Sequence, residues 1–285
     1  MPVRMSSARV LIYATLIVFA VIFIGPTYLV VLTSFKTLDD LRQGNLLGFP
    51  ATWSWDAWAK AWDSACTGVA CSGLKPFFFN SVKIVVPSVL ISTLLGSLNG
   101  YILAQWRFRG ADALFTMLLV GFFIPYQAIL LPAARFLGFF SLANTIPGLI
   151  VVHIAYSLAF TVLLFRNFYV AIPADIAKAA RVDGAGMFLI YRRIFLPLSL
   201  PASMVCIIWQ FTQIWNDFLF GIVFTGPDTR PITVALNNLV NSIEGVKEYN
   251  VDMAAALITA LPTLVVYVVG GRYLVRGLTA GAMKG

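Results

Sequence analysis

Charge is scarce in this chain. Only 11% of its 285 residues are charged and 60% are hydrophobic, where soluble domains carry roughly 25% charge. That deficit excludes an ordinary water-soluble globule and makes a bilayer the expected solvent. Strict apolar–polar alternation over segments of about ten residues is also missing, which argues against a membrane β-barrel and leaves helices as the spanning element. Histidine occurs once and cysteine three times, too little material for a His/Cys metal cluster, so no metal site is expected. No Gly-x-x-x-x-Gly-Lys-Ser/Thr run occurs, and the terminal Gly-Ala-Met-Lys-Gly lacks the required order, so no phosphate-cradling loop is expected.

Long apolar runs take the place of these features. Six can be drawn near the roughly 20 residues needed to cross a bilayer, at about 11–34, 80–104, 113–133, 147–168, 199–224 and 252–271. The first follows Arg4 and Arg9, is longer than a signal-peptide core and has no small-residue cleavage site at its end, so a retained span is expected. Pro87, Pro125, Pro132 and Pro147 fall in or near spans, where neighbouring protein can satisfy the freed carbonyls.

Orientation follows from Lys and Arg. With the N-terminus inside, most of the 20 fall on cytoplasmic segments, Arg107, Arg109, Arg166, Arg192 and Arg193 among them. Both termini are therefore expected in the cytoplasm. The net charge of +8 then reflects topology, and no nucleic-acid partner is expected.

The first outer loop, about 35–79, carries Trp53, Trp55, Trp58 and Trp62. The last three share one face of a short helix. Two readings stay open: an interfacial helix anchored by indoles, or a docking surface for an external partner. Cys66 and Cys71 lie in the same loop and can pair if it faces an oxidising compartment. Cys206 lies in a span and reads as a small core residue.

The longest polar interruption of the second half is Val170–Pro201. Pro173 suits a first helical turn, and Asp175 complements the helix dipole. Ala177, Ala180 and Gly184 follow at i, i+3, i+7, a smooth stripe open to another protein's backbone. Asp183-Gly184 reads as a turn. A second short helix is expected over Gly186–Phe195, stopped by Leu196-Pro197. The result is a helix–turn–helix on the cytoplasmic face, either a plain amphipathic connector or a handle gripped by another protein.

This stretch resembles the cytoplasmic signature loop of permease subunits of bacterial ABC importers. Ala179, Ala180, Asp183, Gly184, Ile194, Leu196 and Pro197 stand at the matching spacing, with Ala185 after the glycine, and Lys178 stands where the family has an acid. Asn80-Ser81, Phe108-Arg109-Gly110, Pro125-Tyr126-Gln127, Trp215-Asn216-Asp217-Phe218 and the terminus Gly277–Gly285 resemble the carbohydrate branch, and the terminus resembles the second permease subunit of the maltose type in particular. The insert before Leu74-Lys75-Pro76-Phe77 and the segment Asn99-Gly100-Tyr101 are most similar to glucose/mannose permeases.

The resemblance implies an all-α integral membrane protein of six transmembrane helices, a single permease domain over 1–285. It implies an external loop at 35–79, a cytoplasmic coupling helix–turn–helix at 170–197 between spans four and five, and a cytoplasmic tail at 272–285 whose Arg276 and Lys284 contact a partner. The implied partners are a second permease subunit, two ATPase subunits that bind the ATP and Mg, and an external sugar-binding protein. The chain itself would hold no cofactor and perform no catalysis. Lys178, Ala179, Ala180, Asp183, Gly184, Ala185, Ile194, Leu196 and Pro197 would form the ATPase-coupling surface.

A sugar passing through a membrane needs donors, acceptors and aromatic faces turned to a cavity. Gln210, Gln213 and Asp217 fall at i, i+3, i+7 in span five, with Trp209, Asn216 and Phe220 beside them. Tyr126 and Gln127 follow Pro125 in span three, and Asn99 and Tyr101 in span two are weaker candidates. The alternative for these polar groups is hydrogen bonding between spans, and His153 is expected to bond to a neighbour. A rival reading, an ion-driven secondary transporter, would want more membrane carboxylates than Asp217 alone.

Overall fold

The computed structural model describes residues 7–44, 46–68, 71–106, 108–242 and 247–282; at 7, 8, 272 and 274–282 it describes the backbone only. All regular structure among these residues is helical. The chain divides into two units, Met1–Pro76 with Ala235–Ala260, and Phe77–Val234 with Leu261–Gly285.

The first unit opens with Ser7–Ser34 (α1), a span whose large side chains, Leu11 through Ile24, are mostly exposed, as a lipid-facing helix requires. Leu38–Arg42 (α2) follows, capped by the Thr37 side chain, which accepts from the Asp40 amide. Asp56–Asp63 (α3) is short, and Trp55 precedes it as the cap residue. The indoles of Trp53, Trp55 and Trp58 gather around the Phe35 ring, with centroids 4.8–5.5 Å away. Lys36 is buried beside them; its Nζ donates to the Leu46 carbonyl, and its own carbonyl accepts from Asn250 Nδ2. Cys66 and Cys71 are joined by a disulfide. Just beyond it Gly73 has φ +63° and lies so close to the Trp62 carbonyl that no Cβ fits.

The second unit holds the next candidate spans. Lys75–Gln105 (α4) and Ile146–Val170 (α7) are single long helices. The third expected span is not one helix. It is Ala111–Phe123 (α5) and Tyr126–Phe139 (α6), bent by 104°. Pro125 disfavours the helical region for the residue before it, and Ile124 is extended at φ −67°, ψ 124°. Ala174–Val182 (α8) and Met187–Leu198 (α9) form the polar helix–turn–helix, and Leu200–Trp215 (α10) leaves α9 at 73°. The fifth span therefore ends at Trp215, short of the expected 224, and a separate turn of helix, Leu219–Phe224 (α11), follows. Ile232–Val240 (α12) and Tyr249–Ala282 (α13) complete the chain. Among the described residues four helices are long and apolar enough to cross a membrane, or up to six if each bent pair counts as one span.

Asn80 and Ser81 at the head of α4 hold the segment before α12. Asn80 Nδ2 donates to the carbonyls of Asp228 and Arg230 (2.8 and 3.2 Å), and Ser81 Oγ accepts from the Ile232 amide (2.8 Å).

Two local expectations are corrected. Leu196-Pro197 does not stop the second short helix. Tyr191–Phe195 forms a π-turn, with Leu196 N–H reaching the Tyr191 carbonyl, and the helix runs on to Leu198. The wider turn relieves the crowding that a proline ring imposes on the carbonyl four residues back. Nor is the Ala177–Ala180 stripe open to a partner. Both residues are buried in the chain's own core with Tyr101, Phe165, Tyr169, Tyr191 and Phe195. Small side chains let α8 lie directly on that aromatic layer, and of the stripe only Gly184 stays exposed.

Candidate functional site

A cavity of about 470 Å³ lies in the second unit, within the usual range of small-molecule sites, ~300–1,000 Å³. Helix α7 gives it His153, Tyr156, Ser157 and Phe160 at i, i+3, i+4, i+7, one face of a helix. Helix α10 gives Trp209, Gln210, Thr212 and Gln213; the break after it gives Asn216 and Asp217; and Tyr126 enters from the start of α6.

Its walls carry two aromatic groupings. Phe160 and Trp209 stack at 3.8 Å, and Tyr126, Tyr156 and Phe220 meet edge to face at 5.5–6.3 Å. The polar groups differ in what they have left to offer. Thr212 donates to the Ile208 carbonyl. Asn216 Nδ2 donates to the Thr212 carbonyl and to Thr263 Oγ1 (2.8 and 3.3 Å). Asp217 is held by the backbone: Oδ1 accepts from Phe220 N–H and Oδ2 from Gly221 N–H, so it caps α11. His153 Nε2 lies 3.9 Å from Asp217 Oδ2. Gln210 is fully buried; its Nε2 donates to Ser92 Oγ at 3.3 Å, while its Oε1 has no partner among the described residues. A buried amide oxygen without a donor is costly, and this one belongs to a residue of the cavity wall.

Of the expected pathway residues, Tyr126, Gln210, Gln213, Asn216 and Asp217 meet at this cavity. Gln127 does not; it is exposed and outside the lining. Asp217 arrives by a different route from the expected one, since α10 has already ended. Tyr101 is buried in the aromatic core instead, and Asn99 is half-buried and turns its amide to the Leu95 carbonyl. Sequence reasoning missed Tyr156, Ser157 and Phe160, although with His153 they mark one face of span four.

The helix–turn–helix presents a second surface. Gly184, at φ +80°, ends α8: its N–H bonds to the Arg181 carbonyl and the Ala185 N–H to the Ala180 carbonyl, the six-residue glycine cap. Lys178, Ala179, Asp183 and Pro197 are exposed, and Lys178 Nζ pairs with Asp175 Oδ1 at 3.0 Å. Val182 and Phe188 are apolar and open, at 88% and 63% exposure. Ala180 is buried, and Ala185, Ile194 and Leu196 pack partly buried against the same core. The expected coupling set thus splits into an outward half and a half that seats the loop. Lys284 lies outside the described residues, as does the Arg276 side chain; the α13 backbone runs past Arg276 to Ala282.

Long apolar helices, a cavity lined by aromatic rings and a few polar groups, and an exposed helix–turn–helix at one turn of the chain define a multi-pass membrane permease. Residues 76–277 match the model of the binding-protein-dependent transport system inner membrane component, and the chain belongs to that family of ABC-importer permeases. A probable ABC transporter permease of Pyrococcus horikoshii is 46% identical over 180 residues, 63% of this chain and 65% of that protein. The xylose/arabinose import permease of Haloferax volcanii is 32% identical over 96% of this chain and 93% of its own length. The diacetylchitobiose uptake permease of Streptomyces coelicolor is 30% identical over 95% and 88%. A crystal structure of a bacterial ABC transporter involved in the import of the acidic polysaccharide alginate shares the fold, at TM-score 0.81 and 22% identity over 96% of this chain.

Proposed function

We propose that this chain is the permease subunit through which a sugar, a hexose such as glucose or mannose, crosses the membrane by alternating access. The observation that carries the reading is the cavity. Amides, a carboxylate and aromatic rings converge there inside an apolar helix bundle, and a sugar presents hydroxyls at its edge and C–H groups on its faces. The names of the relatives, which include importers of xylose/arabinose, diacetylchitobiose and alpha-glucosides, support the sugar class.

In this reading the whole chain is one permease domain with both termini in the cytoplasm and loop 35–79 outside. The disulfide Cys66–Cys71 accords with an oxidising exterior. A second permease subunit completes the pathway, an external binding protein delivers the sugar, and two ATPase subunits bind ATP and Mg. The exposed face of α8 and α9 docks on the ATPase, with Lys178 in the place of the family's acid. This chain supplies no cofactor site and no covalent chemistry.

The test is uptake by the four-component complex in proteoliposomes, with binding protein, over a panel of glucose, mannose, xylose, arabinose and an alpha-glucoside. ATP-dependent uptake with highest ATPase stimulation by glucose or mannose is expected. Stimulation by a pentose alone reassigns the sugar. Uptake that persists without ATP and follows an ion gradient overturns the importer reading.

A further inference from the structure

Beneath the helix–turn–helix lies a chain of hydroxyl groups that the cavity does not use. Tyr191 OH donates to Ser97 Oγ at 3.1 Å. Ser97 Oγ and Tyr169 OH are 2.6 Å apart. Tyr169 OH donates to Ser199 Oγ at 3.0 Å, and Ser199 Oγ donates to the Leu196 carbonyl at 2.9 Å. A hydroxyl has one proton. Tyr169 spends its proton on Ser199, so Ser97 must donate to Tyr169. The chain then has one direction throughout, Tyr191 to Ser97 to Tyr169 to Ser199 to the Leu196 carbonyl, and no proton is used twice. Ser97, Ser199 and Tyr169 are all at or below 1% exposure.

The circuit starts and ends on α9 and its terminal residue, and its middle lies on two spans. Ser97 belongs to α4 and Tyr169 to the end of α7. Tyr101, also on α4, adds a bond from its OH to the Met187 carbonyl at 3.1 Å. The rings alone would pack without these groups. Phe165 and Phe195 fill the same core with no hydroxyl. Ring contacts tolerate sliding, whereas hydrogen bonds lose strength steeply with distance and angle. The hydroxyls therefore fix the register of α9 on the spans.

Ser199 stands at the 73° corner between α9 and α10. Helix α10 carries Trp209, Gln210 and Gln213 to the cavity, and α7 carries Tyr156 and Phe160 there, about 20 and 14 Å along the helix from Tyr169. Ser92, the partner of Gln210, is on α4 with Ser97. Every span that the circuit grips also lines the cavity or holds one of its walls.

We propose that Tyr169, with Ser97, Tyr191 and Ser199, forms the positioning device that makes the docking helices and the cavity helices move as one body. This rests on the ATPase-docking reading of α8 and α9. The device sets how much transport each ATP yields, and it is not part of the sugar site.

The test compares Tyr169→Phe and Ser199→Ala with the native complex in proteoliposomes with binding protein. ATPase recovered on the tagged permease, sugar-stimulated ATPase rate, and sugar imported per ATP hydrolysed are measured together. Both variants should keep the ATPase bound and hydrolysing within about twofold of native, while sugar per ATP falls about tenfold in Tyr169→Phe and less in Ser199→Ala. Tyr169→Phe combined with Tyr191→Phe should be no worse than Tyr169→Phe, because both cut one circuit. Unchanged sugar per ATP overturns the proposal, and so does a parallel fall of ATPase and uptake, which marks a merely structural loss. If Tyr169→Phe fails to reach the membrane, Ser199→Ala decides by the same ratio. A native complex that imports no sugar with ATP fails the functional reading instead, so the two failures are distinct.

Discussion

At the scale of the residue, Gly184 shows how a motif position divides into backbone and contact. Among the described residues nothing lies within 4 Å of where its Cβ would be, so a side chain meets no steric obstacle there. The obstacle is φ +80°, a conformation that costs an L-residue about 1–2 kcal/mol. Gly184→Ala should therefore fray the end of α8 and weaken ATPase capture severalfold, leaving the spans inserted. Gly184→Pro should abolish capture, because proline fixes φ near −65° and removes the N–H that bonds to the Arg181 carbonyl. A pull-down of the ATPase subunit on the tagged permease reads both, and full capture by the proline variant would rule out docking at this turn. Lys178 differs in kind. It is exposed and, among the described residues, paired with its neighbour Asp175, so its replacement should leave the fold alone and report on the partner's charge.

At the scale of the element, the spans meet through small residues. Gly96 and Gly100 repeat at four residues on α4, one face of a membrane helix suited to close approach. A Cβ at Gly96 would collide with the Thr161 side chain, and one at Gly100 would come within 2.8 Å of the Arg166 amide and Phe165 Cβ. Both obstacles sit on α7, and one is backbone, which cannot swing away. Gly100→Leu should push α4 from α7 at a cost of about 1–3 kcal/mol or more. It should lower the detergent melting temperature and cut the yield of assembled complex, whereas Gly121→Ala, where the space is open, should leave both unchanged. Equal melting temperatures for the two variants would refute the close-packing account. Such pairs were visible in the sequence as spacing, but not as contacts. The same limit explains the Ala177–Ala180 stripe. Periodicity showed a smooth face, and only the fold shows that the chain's own Tyr169 and Phe195 cover it.

At the scale of the whole molecule, composition and run length were enough to expect an all-helical membrane protein, because the bilayer forbids unpaired backbone in every lipid-facing segment. They were not enough for the breaks. Pro125 was visible, yet whether a proline kinks a span or turns it through 104° depends on what neighbours supply to the freed carbonyls. The cavity was half legible. The polar stripe of α10 stood out against an apolar background. Tyr156, Ser157 and Phe160 did not, since aromatic and small residues are ordinary in any span.

Orientation is the whole-molecule property on which the proposed mechanism turns, and the two cysteines of loop 35–79 can read it. Cys66 and Cys71 are disulfide-bonded, and the third cysteine, Cys206, is buried within the bundle. A membrane-impermeant maleimide applied to right-side-out vesicles should leave the chain unlabelled. After reduction by an impermeant phosphine, the same reagent should label it. Cys66→Ser combined with Cys71→Ser should abolish that label, because Cys206 offers no accessible thiol. Labelling before reduction would show two free thiols in place of the disulfide. Labelling confined to inside-out vesicles would put loop 35–79 in the cytoplasm and, with three crossings between them (α4, the bent α5–α6 pair as one span, and α7), carry α8 and α9 to the outer face. No cytoplasmic ATPase could then reach them, and the coupling assigned to Tyr169 and Ser199 would have no force to transmit.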